Sequence, residues 1–272
     1  MKITKHKLST TEHEYNYKKT PNTGNPFEEG LPDTIVIHYT AGNSITSSVN
    51  WLTNPEARAS AHLVIGKEGE IYQLAPFNII TWHAGRSSWK GRGGLNKYSI
   101  GIELENSGYL IKKPDGYCNV WDKKIPEEKI ILATHANEKK ERAWESYTQL
   151  QLETLEKVCL VLIKQYEIKE VVGHDEISPG RKQDPGPAFA MDKFREKMLI
   201  GRDSDDSIKV NGKGLVTANY LNIRREPAAS GSLVTEPLPA GTKLEIMEEQ
   251  NGWLKVKADI SGWVSSKWVK RF

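Results

Sequence analysis

The stretch Gly201, Arg202, Asp203, Ser204, Asp205, Asp206, Ser207 is acidic and carries no large apolar side chain. A segment that can bury nothing reads as an interdomain linker. The 272-residue chain therefore has to build two separate cores, and its length is comfortable for two domains. The expected layout is an N-terminal arm at 1–30, an α/β domain at 31–200, a linker at 201–213 and a small all-β domain at 214–272.

Upstream of the linker, β-branched and aliphatic runs alternate with helical patterns. Strands are expected at Thr34–Tyr39, Ala61–Ile65, Ile71–Leu74, Ser99–Leu104 and Glu170–Val172. Helices are expected near Ile45–Leu52, Gln149–Tyr166 and Phe189–Leu199, the last after the turn Pro185, Gly186, Pro187. This alternation implies an α/β fold with a mixed central β-sheet flanked by helices. Downstream, short runs at Gly214–Thr217, Leu221–Ile223, Lys243–Met247, Trp253–Val256 and Gly262–Val264 are separated by turn residues, the pattern of a small all-β barrel. The excursion between Asn106 and Thr148 fits neither pattern. Its charge run, Glu138 to Arg142, is expected as a solvated face, with the wall or lid of a substrate groove as the alternative that its aromatics Trp121, Trp144 and Tyr147 suggest.

The chemistry gathers between Gly173 and Pro187, where His174, Lys182 and Asp184 bring an imidazole, an ammonium and a carboxylate into one irregular segment. Catalytic zinc takes neutral histidine nitrogen and carboxylate oxygen, with three protein ligands and one open position. His174 and Asp184 suit two of the three. The best third candidate is His38, at the exit of the strand-like run Thr34, Ile35, Val36, Ile37. Four further segments belong to the same picture: Ser60 to Ile65 with His62, Gly69 to Leu74, Trp82 to Gly85 with His83, and Ser99 to Asn106 with Glu103 and Glu105.

In this order the motifs resemble the zinc-dependent N-acetylmuramoyl-L-alanine amidases, the superfamily of phage amidase lysozymes and peptidoglycan recognition proteins. The resemblance covers roughly Leu31 to Leu199. It implies a peptidoglycan hydrolase that cleaves the amide between N-acetylmuramic acid and L-alanine with a water activated by Zn2+ held on His38, His174 and Asp184. The phage enzymes commonly have cysteine where Asp184 stands, so the ligand set is closer to that of the bacterial recycling and lipoprotein amidases. Glu103 and Glu105 point to the same face of a strand, so spacing alone does not choose between them. The family motif makes the first glutamate of Ile102, Glu103, Leu104, Glu105 the general base. Lys182 alone would be an exposed loop lysine; the resemblance turns its ammonium toward the oxyanion of the reacting carbonyl. His62 and His83 are expected to contact substrate or support the ligands, with a satisfied core histidine as the alternative for each. Arg92 is expected to pair a stem-peptide carboxylate. After the linker, Leu221 to Arg224 with Pro227, Gly241, Asn251 to Trp253 and Gly262 to Val264 resemble a bacterial Src-homology-3 domain, which implies binding to peptidoglycan or stabilisation of the enzyme. Trp253, Trp263 and Trp268 either serve that binding or fill the small core.

Composition narrows the classes. With 38% hydrophobic and 27% charged residues the chain is ordinary for a globular protein, and no apolar run approaches the ~20 residues of a membrane-spanning helix. Residues 1–30 lack the apolar core of ~7 to 15 residues of a secretory signal. Unless a signal has been removed, the chain is expected to reach the wall by lysis, a pore or an injection device. From Asn211 onward there are nine Lys or Arg against six Asp or Glu, so the whole net charge of +3 belongs to that part. This suits an anionic polymer such as peptidoglycan and is too little for nucleic acid. Cys159 is expected as a buried, inert thiol on a helix; Cys118 carries no assignment. The chain is expected to act as a monomer on peptidoglycan or muropeptides. A non-catalytic peptidoglycan-binding protein of the same fold, or a zinc hydrolase of a related amide, are the alternatives.

Overall fold

A computed structural model of the protein describes residues 1–200, 212–218, 220–227, 231–250, 252–258, 261–266 and 269–271. All but the last two residues of the expected linker, and Trp268, lie outside the described residues. The chain forms two compact units, Met1–Met198 and Leu199–Phe272.

The first unit is built on a six-stranded mixed sheet. Its middle strand pair is parallel, Thr34–Tyr39 beside Ser99–Leu104, with Glu170–Gly173 parallel to the outer side of the first and Leu63–Ile65 parallel to the second. Ile71–Gln73 then pairs antiparallel with Leu63–Ile65. Parallel strands covered on both faces need apolar side chains in succession rather than in alternation, and Ile35, Val36 and Ile37 are all fully buried. The expected α/β architecture with a mixed sheet is what the chain adopts. The first thirty residues join it: Tyr15–Tyr17 adds a parallel edge strand to Ile71–Gln73, and Gln73 accepts from the amide of Leu8 at 2.9 Å.

Helix Gln149–Tyr166 starts where Thr148 accepts from the amide of Gln151 at 3.2 Å, satisfying one of the free N-terminal donors. Its apolar face, including Leu155, Val158, Cys159 and Leu162, is buried, and each such side chain contributes ~1.5–3 kcal/mol of burial. Burial pushes the Cys159 thiol far up, so it is inert. Gln151 Nε2 donates to the carbonyls of Ile65 and Glu105 at 3.0 and 3.1 Å, stitching the helix to two strand ends. The last helix of this unit begins at Met191 rather than Phe189, because the Phe189 amide closes the preceding turn onto Gly186.

The excursion forms a second sheet, five antiparallel strands in the order Lys124–Ile125, Gly116–Cys118, Tyr109–Lys113, Glu141–Glu145, Ile130–Thr134. Leu110, Ile125 and Ala143 form its core. Cys118 is buried and free. The charge run is solvated as expected except at Glu138, which is partly buried.

The second unit is a curled five-stranded antiparallel sheet, in the order Ser261–Ser265, Trp253–Lys257, Lys243–Gln250, Gly212–Val216, Val269–Arg271. Val216, Ile223, Ile246, Leu254, Val256 and Val264 fill its core, and Trp253 is half-buried. Among the described residues no helix is long and apolar enough to cross a membrane.

Candidate functional site

The parallel register places the chemistry. Glu103 lies directly opposite His38, and Gly173 opposite Ile37, so His174 follows at the same level. These are the carboxyl ends of adjacent parallel strands, where ligands bind in open α/β sheets. A cleft of about 420 Å³ opens there, lined by His38, His83, Glu103, His174, Lys182 and Asp184 among others. Trp51 and Trp82 stand on its walls, 58% and 38% exposed.

His38 Nδ1, His174 Nδ1 and Asp184 Oδ2 converge: the imidazole nitrogens are 2.9 Å apart, and the oxygen lies 2.9 Å from the first and 2.8 Å from the second. All three side chains are buried. Their outer partners assign the tautomers. His174 Nε2 lies 3.1 Å from the carbonyl of Ala84 and 3.4 Å from Arg181 Nη2; the shorter contact, to an acceptor, places the proton on that nitrogen. His83 Nε2 faces the carbonyl of Ser99 at 3.2 Å, so its proton is there and its Nδ1 is an acceptor. That acceptor lies 3.0 Å from His38 Nε2, which therefore donates. In the neutral rings, both Nδ1 atoms are then lone pairs turned toward a carboxylate. Burial first, and His174 next, push His38 down to about 4, so its ring is neutral near pH 7. In those tautomers three buried acceptor atoms face one another, an arrangement that a divalent cation answers. His, His and Asp form the one such cluster among the described residues, and the donor set fits zinc.

His83 enters this line because Gly101 leaves room for it. A Cβ at position 101 would lie 2.4 Å from the His83 ring, so any larger residue there would push the ring off His38. His83 thus supports His38 from behind, as well as lining the cleft.

Glu103 and Glu105, equivalent by strand period, part company in three dimensions. Glu103 borders the cleft, and its Oε2 is buried without a hydrogen-bond partner. Burial above all, and then the Asp184 charge, raise its carboxyl well above the ordinary range, against a lowering by Lys182. Glu105 turns aside and accepts from the amide of Lys67 at 3.3 Å.

Two expectations need correcting. Arg92 is not a cleft residue: its guanidinium is bound to Asp33 Oδ2 at 2.8 Å and Thr34 Oγ1 at 3.3 Å, and lies over the Tyr98 ring. Those partners sit at the start of the strand Thr34–Tyr39, ~13 Å from His38 at a strand's rise. His62 is a core histidine, fully buried. Its Nδ1 accepts from the amide of Gly101 at 3.1 Å and its Nε2 donates to the carbonyl of Ile79 at 2.9 Å, and burial pushes it down to about 4.

Arg181 was not singled out in the sequence. Its Nη2 donates to the carbonyls of Ala84 and Arg86 at 2.9 and 2.8 Å and to Ser178 Oγ at 2.7 Å, which locks the His174 end of the segment against the loop that carries His83. Arginine next to Lys182 carried no positional signal beyond charge.

The chain is similar to known amidases. The family model described as N-acetylmuramoyl-L-alanine amidase matches residues 28–187, and that for the bacterial SH3 domain matches 219–270. The 1,6-anhydro-N-acetylmuramyl-L-alanine amidase AmpD of Escherichia coli (strain K12) is 36% identical over 149 residues, 54% of this chain and 61% of that protein. The N-acetylmuramoyl-L-alanine amidase AmiD of the same organism is 32% identical over 173 residues, 60% of this chain and 52% of that protein. The chain therefore spans less than two thirds of the length of these relatives. A crystal structure of a selenomethionine derivative of AmpD superimposes with a TM-score of 0.51 at 27% identity, covering 73% of this chain and 99% of that one.

Proposed function

Because the chain belongs to the N-acetylmuramoyl-L-alanine amidase family, we propose that it is a zinc-dependent hydrolase of the amide between N-acetylmuramic acid and the L-alanine of the stem peptide. The observation that carries this reading is the convergence of His38 Nδ1, His174 Nδ1 and Asp184 Oδ2 beside a buried, unpartnered carboxyl of Glu103. When bound by these three residues, zinc supplies a water of pKa near ~7 and polarises the scissile carbonyl.

The remaining steps belong to the chain's own groups. Glu103 takes the proton of the attacking water at its free Oε2 and delivers it to the leaving amine. Lys182 holds its ammonium at the cleft, where it faces the negative charge that develops on the carbonyl oxygen. Trp51 and Trp82 offer exposed apolar faces on the cleft walls to the glycan. Mass spectrometry of the products from a defined muropeptide tests the reading. A free stem peptide with an N-terminal alanine, together with an intact muramic acid, is expected. Binding of the muropeptide without any product would instead mean recognition without catalysis.

Lys182→Met should lower kcat by ~10²–10³-fold, the effect of removing one oxyanion donor. The same ammonium holds the Glu103 carboxyl down, so its loss lets that carboxyl rise. A base must be deprotonated to act, and the acid limb of the kcat/KM profile should move to higher pH. A profile that only falls in height would limit Lys182 to the oxyanion.

We infer that the C-terminal unit, with its positive excess, tethers the enzyme to the wall. Deleting the residues after Asp206 should leave hydrolysis of a small soluble muropeptide nearly unchanged and slow the attack on intact sacculi, because a second attachment raises local concentration. The difference should shrink with salt. Equal slowing on both substrates would mean that this unit supports the catalytic unit itself.

A further inference from the structure

The loop from Lys182 to Gly186 supplies one metal ligand and the proposed oxyanion donor, yet it has no regular secondary structure. Loops of that kind are the mobile part of a fold unless something holds them. Here the excursion holds it, one residue after another.

His135 reaches from the excursion to the segment that bears His174. It is 1% exposed, and its Nδ1 accepts from the amide of Asn137 at 3.1 Å. The ring proton is therefore on Nε2, which donates to Asp175 Oδ2 at 3.0 Å. The Asp175 amide in turn donates to the carbonyl of Asp184 at 2.8 Å. Asn137 Nδ2 donates to the carbonyl of Asp175 at 3.3 Å. Gln183 Nε2 is bound to Glu138 Oε1, whose other oxygen is held by Arg142 at 2.9 Å. Tyr147 donates its hydroxyl to the carbonyl of Pro185 at 2.8 Å. Trp144 stacks on His135 at 5.8 Å and lies so close to Gly186 that a Cβ there would come within 3.0 Å of its ring. Residues 183 to 186 are thus each gripped, directly or through Asp175.

We propose that the excursion at 107–147 is a clamp on the ligand loop, with His135 as its positioning residue, and that it sets how tightly the site holds its metal. The proposal rests on the zinc-dependent reading above. None of the clamping residues touches the metal-binding atoms; they fix where Asp184 presents its carboxylate. Partners that hydrogen-bond a ligand directly typically change metal affinity by ~10–100-fold when lost, and the clamp reaches Asp184 through its backbone carbonyl.

The test is zinc affinity of the full chain, measured by competition with a chromophoric chelator, for the wild type, His135→Ala and His135→Gln. Thermal unfolding of the metal-free proteins is recorded alongside. His135→Ala should bind zinc roughly 10–100-fold more weakly, and its unfolding midpoint should rise less on adding zinc than that of the wild type. His135→Gln keeps an N–H donor near the position of Nε2 and should recover most of the affinity. A role confined to stability would lower the metal-free midpoint and leave the affinity unchanged, which overturns the clamp. If His135→Ala shows no cooperative unfolding, Tyr147→Phe carries the comparison, since it removes only the bond to Pro185; an unchanged affinity there overturns the proposal as well. A wild type that binds no zinc would instead refute the zinc-dependent reading on which the clamp depends.

Discussion

Glu103→Gln should lower kcat by ~10²–10⁴-fold, the range of a lost general acid–base, while zinc content and unfolding temperature stay those of the wild type. The side chain keeps its volume, and Glu103 is not among the three converging ligands. Glu105→Gln should change turnover little, because that carboxylate is engaged with the Lys67 amide rather than with the cleft. Kinetics on one soluble muropeptide, with metal analysis of each protein, decide between the two. Equal losses would mean that the base is misassigned, and release of zinc from Glu103→Gln would mean that this carboxyl belongs to the metal site.

Stripping the metal with a chelator should abolish hydrolysis, and stoichiometric zinc should restore it. The polarisation and nucleophile that zinc supplies are worth several kcal/mol, which at 1.36 kcal/mol per factor of ten is at least about a thousandfold in rate. The metal-free protein should stay folded, since the sheet that carries His38 and His174 is held by its own apolar core. Asp184→Asn should mimic the stripped enzyme by weakening metal binding, because it removes the one negative ligand. Undiminished hydrolysis by a preparation free of metal would end the zinc-dependent reading.

How far the site was legible depended on whether the relevant signal was local. The sheet was legible because a strand buried on both faces needs a continuous apolar run, as in Ile35, Val36 and Ile37, and because Ser99 to Leu104 alternates Ile100, Ile102 and Leu104 with smaller or polar residues at strand period. The helix from Gln149 to Tyr166 carried its own period. His38, His174 and Asp184 could be picked out because metal ligands are few in kind, and strand ends are where they collect. Resemblance to a family of amidases named the base and the lysine, for which spacing offered no choice.

What the local pattern cannot carry is which side chain another one meets. Arg92 looked suited to an anionic ligand, and the fold gave it Asp33 at the far end of the strand. His62 and His83 had the same standing in the sequence, yet the missing side chain at Gly101 admits His83 to the ligand cluster, while Thr81, Ile79 and Gly101 consume both nitrogens of His62. Glu103 and Glu105 differ only in what faces them across the sheet end. The excursion showed aromatics and charge but no period, and its grip on residues 183 to 186 joins segments about forty residues apart. The sequence by itself determined the strands, the helices, the separation into two cores and the identity of the metal-ligand candidates, because each is dictated by burial and periodicity within a short stretch. Only the tertiary structure decided which polar groups are spent on the fold and which remain free to act, since a hydrogen bond is claimed by whatever partner three dimensions bring within about 3 Å.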